Sequence, residues 1–155
     1  MNMKVDPLTP CIIGVAVHTW HPEDVGAAGA PEPLEMWEHV ARQAAGDARA
    51  TERAGPDLLA ALDSLQIVYC QTWQYDDAVA RLAERIGAHP RHRHYSGIGG
   101  TTTQQLVNET SEAMLRGEMD LALITSAEAL ATKRTRKREG ERWGAVIKAA
   151  GIQAE

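Results

Sequence analysis

The run Ser96-Gly97-Ile98-Gly99-Gly100-Thr101-Thr102-Thr103-Gln104-Gln105 concentrates the residues best suited to hold a ligand. Its glycines let a bound group approach the main chain with no Cβ in the way. The hydroxyl-rich stretch after them has the composition of a helix start, where free N–H groups and the helix dipole favour an anion. Gly97, Gly99, Gly100, Thr101 and Thr102 are therefore the candidate ligand-binding residues. A dinucleotide loop wants a further glycine where Thr102 stands, and an acid about 20 residues on at the carboxyl end of a strand. Asp120 has that spacing but precedes its strand. A phosphate loop needs a lysine, and none follows Gly100. The same residues also suit a tight turn and helix cap that bind nothing.

Other groupings point to chemistry less firmly. His89, His92 and His94 lie among Pro90, Arg91 and Arg93. On an extended chain His92 and His94 share a face, but zinc takes three or four converging ligands, and no cysteine or carboxylate adjoins them. A solvated basic turn is the better reading, and no metal site is assigned. Ser96 follows His94 closely but lacks the Gly-x-Ser-x-Gly elbow of a hydrolase nucleophile. Cys11 and Cys70 are too few for a disulfide scaffold. Cys70 ends an apolar run where it could approach the Gly100 turn, though a half-buried structural cysteine is the simpler reading. Residues 133–138 place five cations in six positions, which suits a solvated helix or loop before a phosphate-binding patch.

These residues must be positioned by a chain of 155 residues, 44% hydrophobic and 24% charged, the composition of an ordinary globular domain with enough length for a core. A formal charge of −5 argues against a general nucleic-acid coat. With no Phe and 5% aromatic residues, the core must be aliphatic and alanine-rich, and stacking platforms for single strands are scarce. The N-terminus lacks the apolar stretch of a signal peptide, and no run approaches the ~20 residues that span a bilayer. The expected location is cytoplasmic.

Short apolar runs alternate with helix-period segments. Residues 12–17, Ile-Ile-Gly-Val-Ala-Val, read as a first, central strand. Leu34, Trp37, Ala41, Ala44 and Ala48 then share one face of a helix that must pack closely, because that face is small. Leu58, Leu59 and Leu62 suggest a short helical turn, and residues 65–70 a second strand. Asp76 or Asp77 can cap a helix carrying Val79, Leu82, Ala83 and Ile86, with Gly87 as its stop. Residues 93–98 form a third strand. Thr101 opens a helix with Thr103, Val107, Thr110 and Met114 inward, Glu112 and Arg116 paired outward, and Gly117 as the stop. Residues 121–125 form a fourth strand, and 128–155 a basic, then alanine-rich, helical segment. The alternation predicts an α/β fold, a mainly parallel doubly wound sheet with helices on both faces and ligands beyond the carboxyl ends of its strands.

The order of motifs is informative as a whole. Residues 97–105, Leu106-Val107-Asn108, Arg116-Gly117-Glu118-Met119-Asp120-Leu121-Ala122-Leu123-Ile124 and Ala127-Glu128-Ala129, with Ile12-Ile13-Gly14-Val15 and Glu32-Pro33-Leu34 before them, resemble the N-terminal half of the thiolase superfamily. More narrowly, they resemble sterol-carrier-protein-type thiolases and thiolase-like proteins, which include acetyl-CoA acetyltransferases and lipid-transfer proteins. The resemblance implies a thiolase-like N-terminal domain over 1–140 and a divergent tail over 141–155. It also implies an acyl-accepting cysteine at the start of the helix after the third strand. Counted back from Gly117 that position is Gly100, a register that Gln105 supports. Glycine has nothing to acylate, and the adjacent Thr101 and Thr102 are poor nucleophiles without a base. The family's second half, with its catalytic His, second Cys and coenzyme A loops, has no counterpart here. Glu128 matches a family glutamate and is expected to hydrogen-bond.

The resemblance thus implies a thiolase-like protein of acyl-CoA and lipid metabolism, an acyltransferase by family without independent thiolase activity. It implies no cofactor, an acyl-CoA or lipid as ligand, and either a homodimer or pairing with a second-half or OB-fold partner. One alternative is a subunit of a thiolase-like retro-aldolase or other acyl-CoA assembly. Another is nucleic-acid or anion binding through residues 133–138, against which the overall charge argues.

Overall fold

The computed structural model describes residues 9–25, 29–48 and 57–149. Parts of three sequence expectations lie outside them: the N-terminal stretch over 1–8, residues 26–28 of the loop before the first long helix, and the tail from 150 on. The described elements are α1 (Pro22–Val25), α2 (Pro33–Asp47), α3 (Asp57–Ala60), β1 (Ser64–Ile67), α4 (Ala78–Ile86), β2 (His92–Tyr95), α5 (Thr102–Leu115), β3 (Ala122–Thr125) and α6 (Leu130–Ala149). Their order gives an α/β fold with a three-stranded parallel sheet, arranged β2-β1-β3 and flanked by helices.

The central strand β1 is buried at every position, and its two faces differ in chemistry. Leu65 and Ile67 point into an apolar core with Trp37 and Ala41 of α2 and Val79, Leu82 and Ile86 of α4. On the other face Gln66 donates to Ser64 Oγ at 3.0 Å and to Thr110 Oγ1 of α5 at 2.7 Å, and Ser64 Oγ meets His92 Nδ1 at 2.8 Å. A buried amide is tolerated there because its donors are met. Helices α2 and α4 therefore cover one face of the sheet, and α5 the other.

Local rules explain the helix ends. Asp77, the second of the two candidate caps, accepts the Ala80 N–H at 2.8 Å, while Asp76 pairs with Arg81. Gly87 ends α4 at φ 72°, a left-handed conformation that glycine takes without strain. At α2, Pro33 occupies the first turn and Glu32 supplies no side-chain cap. The Tyr75 hydroxyl accepts the Leu34 N–H at 3.0 Å instead, and burial holds its pKa up at about 12.

Two expectations are corrected. Residues 12–17 are not a strand, central or otherwise. They run extended beside α2 with the alternation of a strand: Gly14 and Ala16 are half-buried, while Ile12, Ile13, Val15 and Val17 are 56–91% exposed. The Val15 N–H donates to Asp47 at 2.9 Å, and a Cβ on Gly14 would collide with the Ala44 carbonyl oxygen. The small face of α2 packs closely, as its alanines require, but against a segment with no sheet neighbour. β-Propensity alone makes no ladder. The second correction is the face of α5. Thr102, Leu106, Thr110 and Ala113 are buried, whereas Thr103 is exposed and Val107 and Met114 are only half-buried. Of the residues predicted inward Thr110 is buried as expected, while Thr103, Val107 and Met114 border an open cleft.

Candidate functional site

The glycine-rich turn links β2 to α5, as its sequence suggested. Thr102 Oγ1 donates to the Gly99 carbonyl at 2.9 Å, and the Thr102 N–H reaches the same oxygen at 3.3 Å, folding the turn under the helix start. A Cβ on Gly99 would lie 2.7 Å from Thr102 Oγ1, so that position is tight. Gly97 and Gly100 have open space around the corresponding point. Neither has a positive φ. Residues 97–101 are exposed, Thr102 is buried, and Thr101 makes no side-chain cap bond to the helix. The turn thus offers an exposed helix start with room beside Gly100 and no thiol, amine or imidazole in its own sequence.

Ser96 is buried at the mouth of this turn. Its hydroxyl accepts the Tyr69 N–H at 2.9 Å and donates to the Gly97 carbonyl at 3.0 Å, so it ties the ends of β1 and β2 together. His94, two residues before it, makes no bond to it; a hydrolytic serine has no base here. His92 and His94 stack at 6.2 Å with rings nearly parallel, and His92 binds Ser64. Among the described residues no three His, Cys, Asp or Glu side chains converge as metal ligands.

Cys70 lies just beyond β1, fully buried, and its bonds run to Thr72 and Glu128, not to the glycine turn. Burial pushes its thiol pKa up, which disfavours the thiolate form that nucleophilic attack uses. Glu128 accepts the Gln71 N–H at 2.8 Å and the Thr72 N–H at 3.1 Å, while Thr72 Oγ1 accepts the Ala129 N–H at 2.9 Å. Partial burial by itself raises the Glu128 carboxyl, but the bonds from Thr72, Gln71 and Cys70 outweigh it and hold the pKa below the ordinary glutamate value. Glu128 is a clamp between the loops leaving β1 and β3.

At the opposite ends of the strands, Asp63 was not singled out by sequence. Its carboxylate accepts the Asp120 N–H at 2.9 Å, the Leu121 N–H at 3.2 Å and an Arg91 N–H at 2.8 Å, joining the starts of all three strands. The Asp120 backbone bond first, and then Arg91, lower its pKa. Asp120 contributes its backbone here, which leaves no place for a ribose-binding acid at a carboxyl end.

The cations of residues 133–138 are exposed on α6. Arg136 sits 4.6 Å over the Trp73 ring, a cation–π contact, and Lys137 faces Glu141 at 3.9 Å. A separate cleft of about 880 Å³ opens between residues 9–20 and β3, with α2 and α5 on its sides. Thr103 is the one residue of the glycine-rich run that lines it. His18, Trp20 and His39, with ring centroids 4.2–5.3 Å apart, fasten the far end of its outer wall to α2. Sequence reasoning missed this aromatic cluster, since its members are scattered over two elements.

A parallel sheet with helices on both faces and a glycine turn leading into α5 is the architecture of thiolase-like proteins, and the chain has that fold. It is similar to a monomeric SCP2-thiolase-like protein type 1 from Mycobacterium smegmatis, known from its crystal structure. The two share 27% sequence identity at a TM-score of 0.66, over 82% of this chain and 25% of that one. The chain therefore spans about a quarter of the length of that relative. No protein-family model matches the chain, and no curated protein matches it. No helix among the described residues is long and apolar enough to cross a membrane.

Proposed function

We propose that this chain is a thiolase-like unit of acyl-CoA or lipid metabolism that holds an acyl-CoA or lipid at the turn over Gly97, Gly99, Gly100, Thr101 and Thr102 without forming a covalent acyl intermediate. One observation carries the reading: on a fold shared with an SCP2-thiolase-like protein, the start of α5 has open space beside Gly100. The family places its acyl-accepting cysteine at that position. The exposed helix start favours the negative charge of a thioester oxyanion or a phosphate, and the threonine hydroxyls beside it have no base to activate them. Acyl transfer would then require a partner that completes the site, either a second copy or a polypeptide like the second half or OB-fold partners of the family. A place in the cytoplasm agrees with this reading.

The test is incubation of the full chain with a labelled acyl-CoA, followed by intact mass measurement and NMR. The expected result is shifted amide signals over residues 97–103 with no stable adduct. An acyl group fixed on the wild-type chain would overturn the non-covalent reading, and an unperturbed turn would overturn ligand binding there.

A further inference from the structure

The basic helix α6 takes no part in the ligand turn, and its charge is set against that of the rest of the chain. Over Leu130–Ala149 it carries seven lysines and arginines and two glutamates, which leaves nine cations and nineteen carboxylates for the other 135 residues. A formal charge of −5 is therefore the sum of a basic helix and a strongly acidic body. The helix is attached by its foot. Thr132 Oγ1 donates to the Ala30 carbonyl at 2.9 Å, with the Pro31 carbonyl at 3.2 Å, and Arg136 covers Trp73. Every residue from 133 to 148 is exposed. Beyond Arg136 the helix runs on to Lys148 for about 18 Å.

Helical spacing separates two sides. Trp143 and Ile147 follow Thr132 and Arg136 by eleven residues each, close to three full turns, so they lie on the side that meets the body. Arg134, Arg138 and Arg142 succeed one another at steps of four, about 6 Å apart along the axis, and with Lys137 and Lys148 they occupy the outer side and its flank. Among the described residues only Lys137 of these five has a carboxylate partner, Glu141 at 3.9 Å.

We propose that the outer side of α6 binds the phosphate backbone of duplex DNA without reading its sequence. The inference does not rest on the acyl-CoA reading. Charge complementarity requires a polyanion, and the distribution of side chains selects among polyanions. A helix that lies on a bilayer presents apolar residues to the lipid, whereas Trp143 and Ile147 are on the body side. A free phosphate occupies one or two guanidinium groups, and the cations from Arg134 to Lys148 extend over about 21 Å. The major groove of B-DNA is about 12 Å wide and admits an α-helix, so cations spread around the outer side can meet phosphates on both walls. The major groove of duplex RNA is too narrow for that. The acidic body stays behind the helix, about 10 Å from the duplex, which is about one Debye length at physiological ionic strength.

The test is fluorescence anisotropy of a labelled mixed-sequence duplex of about 20 base pairs, titrated with the full chain at about 50 to 200 mM salt. Binding is expected with a log–log salt slope of about −4, as four or five neutralised phosphates require, and with equal affinity for a second, unrelated duplex. The triple variant Arg134→Glu, Arg138→Glu, Arg142→Glu is expected to bind at least about a hundredfold more weakly. The milder pair Arg134→Gln, Arg138→Gln, which keeps good helix formers, is expected to bind at least about tenfold more weakly. Circular dichroism checks that both variants fold. Arg93→Glu, at an exposed cation of the body, should bind as the wild type does. No binding at the lowest salt, wild-type binding by the α6 variants, or the same loss in Arg93→Glu would overturn the proposal. So would equally tight binding of the single strand, tighter binding to phosphatidylglycerol vesicles, or displacement of the duplex by equimolar coenzyme A. Acyl-CoA signals over residues 97–103 are read separately, so either reading can fail without the other.

Discussion

At the residue scale, the glycines of one turn have different physical roles. Gly100 has room for a side chain and an ordinary φ, so Gly100→Cys is expected to leave the melting temperature almost unchanged. At a helix start the new thiol should show a depressed pKa. With labelled acyl-CoA it should gain one acyl mass where the wild type gains none; an unmodified but folded variant would count against the assigned register. Gly14→Ala is the contrasting case. Its Cβ would meet a backbone oxygen that cannot step aside, and the expected cost is about 1–3 kcal/mol by denaturant unfolding. Asp63 sets a pH dependence. Its folded pKa is lowered from the model-compound value of 3.8, so its stabilisation is full above that value and is lost as pH falls through it toward the folded one. Asp63→Asn should flatten the stability profile as pH falls below about 4, and Glu128→Gln should act in the same direction. The glycine turn was legible in sequence because glycine and threonine have local meanings. Asp63 was not, because its partners lie 28 and 57 residues away.

At the element scale, helices were readable wherever a period and a stop signal coincided. The helix carrying Val79, Leu82, Ala83 and Ile86 appears with Asp77 as its cap and Gly87 as its end. Asp77→Ala is expected to cost about 1 kcal/mol, measurable by urea titration. The face of α5 was misread by one residue because it mixes threonine, alanine and leucine, and Thr103, Val107 and Met114 are apolar enough to look inward. The buried face is fixed by a partner that periodicity cannot name, the Gln66 amide. Thr110→Val removes one acceptor of that amide and should destabilise by about 1–3 kcal/mol, more than the same change at exposed Thr103. Residues 12–17 show the limit most clearly. Their composition is that of a buried strand, and composition says nothing of whether a neighbouring strand lies alongside.

At the scale of the whole molecule, the sheet is short and open on the β3 side, and α6 carries Trp143, Val146 and Ile147 at 45–64% exposure. The fold class was legible from the alternation of elements and the order of weak motifs, since parallel connections leave few alternatives. The open cleft was not, because it is defined by what four separate segments enclose.

The Asp63 junction also bears on how the molecule is made. The strand at the centre of the sheet is synthesised before both of its neighbours, and the carboxylate that gathers their starts must wait for Arg91 and then for Asp120 and Leu121. On a growing chain β1 therefore has no complete sheet to enter until β3 has left the ribosome, and its apolar face depends meanwhile on α2. Such non-local closure is slow compared with helix formation, so the nascent chain spends its most aggregation-prone interval with the middle of its own sheet uncovered.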